Sequence, residues 1–179
     1  MTDEKRRSRR TLAEFRAEAV DHVPVHIGEV KVADGSSLLF TVGLGSCVAI
    51  ALYDPYERIG GLAHAMLPHP DTGRRDAPPG RFATTAVSAL VESMEARGAS
   101  RKRLYARLAG GASMFRDILD REGLKLGRRN VDAAHDALSS LGIPVRTEDV
   151  LGTYGRSVFL RTSDGQLLVT SVNHDDVLL

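Results

Sequence analysis

A single cysteine, Cys47, serves the whole chain of 179 residues. One thiol excludes an internal disulfide and any multi-cysteine zinc site, and it suggests a reducing compartment. An excess of one charge is also lacking: the formal net charge of +1 leaves no global field to hold DNA or an anionic membrane. No apolar run approaches the length of a membrane-spanning helix. The basic N-terminus, Lys5-Arg6-Arg7 and Arg9-Arg10, lacks the apolar core of a signal peptide. Internal repeats and low-complexity blocks are missing as well. None of the six histidines has partners at metal-ligand spacing, so no metal site is expected. What remains is a soluble, cytoplasmic globular protein whose length fits one domain with ease.

Residues 1–22 read as a flexible basic extension, and 23–179 as a single domain. A nucleic-acid contact through that tail is the less ordinary reading and predicts strongly salt-dependent binding. Val23 to Val32 alternates like a strand and breaks at Gly28. Leu38 to Val42 is a β-rich run ending at Gly43. The run from Val48 to Tyr53 is almost continuously apolar, which predicts a strand buried on both faces. Gly60 to Leu67 is another apolar run, and Pro68 to Gly80 reads as a long loop, a lid or a substrate rim in one reading and a plain surface excursion in the other.

Helical spacing of Phe82, Ala86, Ala89, Leu90 and Met94, with Gly98 as a stop, predicts a helix over 81–97. Leu104, Ala106 and Leu108 alternate as a strand, and Met114-Phe115 with Ile118-Leu119 suggest a helical turn. Asn130 reads as the N-cap of a helix whose apolar face is Val131, Ala134, Leu138 and Leu141. Arg156–Arg161 and Gln166–Thr170 flank Ser163-Asp164-Gly165 as a hairpin. About seven strands and two main helices give an α+β architecture, a sheet core with helices packed on it.

Cys47 follows Gly43-Leu44-Gly45-Ser46 at the mouth of its strand, and His64 lies on the next apolar run. Two runs joined by a turn lie side by side, so a thiol and an imidazole meet, the minimum apparatus for covalent acyl chemistry. Backbone N–H groups around Gly45 and Ser46 are candidates to hold an oxyanion. Thr41 is a candidate to orient the imidazole. Each residue also has a bland reading: a small buried hydrophobe for Cys47, a satisfied core histidine for His64, a β-branched strand residue for Thr41. The glycines invite a dinucleotide fingerprint, but Val48 stands where the third glycine belongs and a strand follows instead of a helix. Arg128-Arg129-Asn130 at a helix start is a possible phosphate cradle.

Thr41-Val-Gly-Leu-Gly-Ser-Cys47 followed by Gly60-Gly-Leu-Ala-His64-Ala-Met-Leu-Pro68 resembles the bacterial CheD family of chemoreceptor glutamine deamidases. The resemblance continues through Pro79-Gly80-Arg81-Phe82-Ala83, Ala109-Gly110-Gly111-Ala112-Ser113-Met114-Phe115, Gly127-Arg128-Arg129-Asn130 and Gly155-Arg156-Ser157-Val158. Val42 stands where the family usually has Leu. The resemblance implies a Cys47–His64–Thr41 triad and an α/β/β layered fold like the deamidase domain of cytotoxic necrotising factor toxins. It further implies cofactor-free hydrolysis of selected glutamines on methyl-accepting chemoreceptors, with a CheC-type phosphatase as a partner of many relatives. The competing expectation is a non-catalytic module that binds receptors or such a phosphatase, with Cys47 structural.

Overall fold

Strand β4 (Val48–Asp54) is buried at every residue, as its continuous apolar run predicts. It is the middle strand of one of two five-stranded sheets in the computed structural model, which describes residues 12–70, 77–113 and 121–179. On one side β4 pairs antiparallel with β5 (Ile59–Ala65) and on the other with β6 (Tyr105–Gly110). β2 (Val30–Ala33) closes the β5 edge, and β7 (Val145–Val150) runs parallel to β6 at the far edge. The second sheet has the order β1 (Asp21–Pro24), β3 (Ser37–Leu44), β8 (Arg156–Arg161), β9 (Leu167–Ser171), β10 (His174–Leu178).

The two sheets pack face to face through Leu39, Leu44, Ala49, Ala51, Leu62, Val158, Leu160 and Val169. The other face of the β4 sheet carries helices α2 (Ala83–Glu95) and α3 (Arg121–Ser140), and Ile50, Leu52, Leu90, Met94, Leu108 and Leu138 fill that layer. Each such side chain, fully removed from water, contributes about 1.5–3 kcal/mol relative to exposure. The order helices, sheet, sheet is the α+β, α/β/β arrangement expected.

Local chemistry explains most boundaries. α2 buries Ala83, Ala86, Val87, Leu90, Val91 and Met94, one stripe at helical spacing. Leu90 and Met94 come down on Gly61 of β5, where an added Cβ would lie 2.8 and 2.9 Å from their side-chain atoms. The expected strand over 23–32 is two strands in different sheets, separated at Gly28. β3 does not end at Gly43 but continues through a bulge to Leu44: Thr41 faces Val158 and Leu44 faces Arg156. The extra residue lets Thr41 and Leu44 both point inward while Val42 and Gly43 are exposed.

Ten strands are present among the described residues, more than the seven expected. The additional ones include the edge strands β7 and β10, whose charged, mostly exposed residues carry no apolar pattern. α1 (Leu12–Ala17) lies within the segment read as an extension. Its Phe15 is fully buried against Leu38, Phe159 and Leu168 on the outer face of the second sheet. Arg161, 1% exposed, stacks 4.4 Å from the Phe15 ring and is ion-paired to Glu18 and Asp164, so packing reaches back to Leu12. The suggested helical turn at 114–119 and the middle of the 68–80 loop lie outside the described residues.

Asn130 is not an N-cap. α3 begins at Arg121, which places Asn130 inside the helix and removes Arg128-Arg129-Asn130 from any helix N-terminus. The helix end is as expected: Ile143 N–H donates to Leu138 O across Gly142, whose φ of +69° suits glycine. No described helix is long and apolar enough to cross a membrane.

Candidate active site

Two side chains meet in the layer between the sheets, and Cys47 packs against the same layer. Thr41 enters it from β3 and His64 from β5, and Thr41 Oγ1 lies 2.7 Å from His64 Nδ1. This bond joins one sheet to the other. Both residues are buried, at 2% and 1% exposure. Cys47 directly precedes β4, is half-buried and packs against the same inter-sheet cluster. Ala49 pairs with His64 across β4 and β5. The register brings the start of β4, and Cys47 just before it, to the end of β5 that carries His64.

The imidazole is held on one side only. Nδ1 faces Thr41, while the buried Nε2 hydrogen-bonds to nothing among the described residues. A buried polar atom without a partner is costly and marks a site with a use for it. Burial lowers the His64 pKa to about 4, so the ring is neutral at physiological pH. Burial pushes the Cys47 thiol upward, opposed by its own backbone N–H. The resting groups are therefore a neutral thiol and a neutral imidazole, and the tautomer with its proton on Nδ1 leaves a lone pair on Nε2 able to accept a proton.

The loop before Cys47 is anchored by its carbonyls. Gly45 O accepts from Ala112 N–H at 2.7 Å, Cys47 O from Gly111 N–H at 2.7 Å, and Ser46 O from Asn130 Nδ2 at 2.8 Å. The amide N–H groups of Gly45, Ser46 and Cys47 donate to no backbone carbonyl among the described residues. Backbone donors uncommitted to any carbonyl beside a thiol are the raw material of an oxyanion hole. Close approach makes the anchoring possible. A Cβ on Gly110 would lie 2.3 Å from Cys47 O, and one on Gly127 of α3 would lie 2.3 Å from Gly111 O.

Asn130 is the residue whose place in the site the sequence reading missed. It is wholly buried, and its Nδ2 also donates to Met66 O at 3.1 Å, two residues beyond His64. The available signal was its register: Asn130 stands four residues before Ala134 and eight before Leu138, a polar residue on the buried stripe of the helix.

Residues 66–171 match the family model described as CheD chemotactic sensory transduction. A protein of Symbiobacterium thermophilum called "Probable chemoreceptor glutamine deamidase CheD" is 46% identical over 154 residues, covering 85% of this chain and 93% of its own. The "Chemoreceptor glutamine deamidase CheD" of Thermotoga maritima is 42% identical over 154 residues, covering 86% and 94%. Matches this long necessarily span residues 41 to 64. Among solved structures, Neisseria meningitidis protein NMB0706 superposes with a TM-score of 0.50 at 11% identity, covering 86% of this chain and 72% of that one. That likeness concerns the fold alone.

Proposed function

The chain belongs to the CheD family, and from that premise we propose that it hydrolyses selected glutamine side chains of methyl-accepting chemoreceptors to glutamate. The observation that carries the reading to the atomic level is the Thr41–His64 hydrogen bond, which leaves the buried Nε2 without a partner among the described residues. With Nδ1–H donated to Thr41 Oγ1, Nε2 holds the lone pair required of a general base. Nε2 takes the thiol proton as Cys47 Sγ attacks the carboxamide carbon. The carbonyl π pair moves to oxygen, where the Ser46 and Cys47 N–H groups stabilise it. As the oxyanion collapses, the C–N bond breaks and His64 returns its proton to the departing nitrogen, releasing ammonia and leaving a thioester. Water, deprotonated by Nε2, then attacks that thioester, the C–S bond breaks and the thiol is restored. The balance is glutamine and water to glutamate and ammonia, with no redox change.

Two exposed apolar residues adjoin the site in the chain and are suited to contact a receptor helix. Val42 and Ile27 are each 59% exposed. Val42 adjoins Thr41, and Gly28, next to Ile27, donates its N–H to His64 O at 2.8 Å. Exposed apolar residues beside a catalytic pocket mark a contact surface. The Val42→Asp variant is expected to raise KM for a receptor fragment about tenfold, the equivalent of about 1.4 kcal/mol of lost contact, with kcat within about threefold. An unchanged KM would remove this face from the substrate path. The enzyme acts in the cytoplasm on the receptor's helical region, as one domain.

The direct test is mass spectrometry of a cognate receptor's cytoplasmic fragment incubated with wild type and with Cys47→Ala. Glutamine-to-glutamate conversion at defined positions by wild type, absent with the variant, is expected. Conversion by neither protein would sink the enzymatic reading for that receptor.

A further inference from the structure

We infer that Asn130 is a positioning residue of this reaction, aiming the Cys47 N–H at the developing oxyanion; the inference rests on the function proposed above. A peptide unit is planar, with its C=O and N–H pointing in opposite directions. The carbonyl of Ser46 and the N–H of Cys47 belong to one such unit. When Asn130 Nδ2 pulls Ser46 O toward α3 at 2.8 Å, it turns the Cys47 N–H the other way, away from the helix layer. The Ala112 N–H does the same one unit earlier, holding Gly45 O and so aiming the Ser46 N–H.

Asn130 differs from that backbone anchor in gripping two places at once. Its second Nδ2 hydrogen bond, to Met66 O, fixes the chain where it leaves β5, the strand that carries His64. One amide group therefore sets the nucleophile loop relative to the base. Its Oδ1 is buried without a hydrogen-bond partner among the described residues, while Nδ2 satisfies two carbonyls that an apolar side chain would orphan. Gly127, one turn earlier, brings the helix backbone against Gly111 and Ala112 and so puts the short Asn130 side chain within reach.

The test compares Asn130→Ala and Asn130→Ser with Leu138→Val, a destabilising change further along the buried face of α3, at a temperature where each is folded by circular dichroism. For the Asn130 variants kcat is expected to fall about 10²-fold, the scale of one lost oxyanion donor, with KM within about twofold; Leu138→Val keeps its kcat. Asn130→Ser serves if Asn130→Ala does not fold. A kcat unchanged in the Asn130 variants, or lowered equally in Leu138→Val, would overturn the inference. A second readout needs no receptor: the pH midpoint for alkylation of Cys47 by iodoacetamide. It is expected to move by about half a unit in the Asn130 variants, as the thiolate loses its fixed N–H, and not in Leu138→Val. If wild type deamidates no receptor, the proposed function fails, and this midpoint alone decides whether Asn130 sets the loop; identical midpoints in all proteins would refute it.

Discussion

Exchange of His64 for glutamine is expected to slow receptor deamidation by about 10³-fold in kcat, with KM within about threefold. The imidazole is asked to move a proton four times in one turnover: from the thiol, to the leaving nitrogen, from water and back to the sulfur. Glutamine fills similar space and can accept a hydrogen bond but takes up no proton, so geometry is largely kept while the chemistry is lost. Initial rates on a receptor peptide, followed by mass, measure the effect. A loss below about tenfold would remove His64 from the mechanism. In wild type the acid limb of kcat/KM should fall only as His64 protonates, near its lowered pKa of about 4.

The second large effect is on stability. From pH 6.5 down to about 4 the wild-type fold is expected to lose up to about 3 kcal/mol that the His64→Gln variant retains, since each unit of pKa difference carries about 1.4 kcal/mol. The folded-state pKa is lowered. Above the unfolded value of 6.5 the imidazole is neutral in both states and contributes nothing to the pH dependence. Between 6.5 and about 4 the unfolded chain binds the proton and the folded chain does not, so acid favours unfolding. Below about 4 both states are protonated and the loss stops growing. Asp54 also resists protonation. Burial opposes its charge, but the Arg103 guanidinium and the N–H groups of Ser100, Tyr56 and Glu57 outweigh burial and hold the carboxyl low. Its titration is common to both proteins and cancels in the comparison. Urea midpoints at several pH values test this; parallel curves for the two proteins would refute it.

The sequence made the centre of the molecule legible and its periphery less so. The continuous run from Val48 to Tyr53 named a doubly buried strand, and the spacing from Cys47 to His64 across one turn anticipated neighbouring strands. These signals are strong because burial on both faces leaves little freedom of composition. β7 and β10 escaped notice because an edge strand exposes its side chains and needs no apolar alternation. Asn130 was misread because asparagine before an apolar stripe satisfies the local rule for a helix start. Only tertiary contact reveals that its amide is committed to carbonyls 84 and 64 residues away in the chain. The inward turn of both Thr41 and Leu44 depends on a bulge that simple alternation does not encode.

The long reach of Asn130 also bears on when the enzyme becomes active. Thr41 and His64 are 23 residues apart in the chain. Ser46 and Asn130 are separated by 84 residues. At a synthesis rate of about 5–20 residues per second, the nucleophile loop waits about 4–17 seconds for its anchor. During that interval the thiol exists but its oxyanion donors are not aimed, and the nascent chain has little power to alter receptors. On the function proposed above, a copy truncated before residue 130 is expected to turn over slowly even where its thiol is in place.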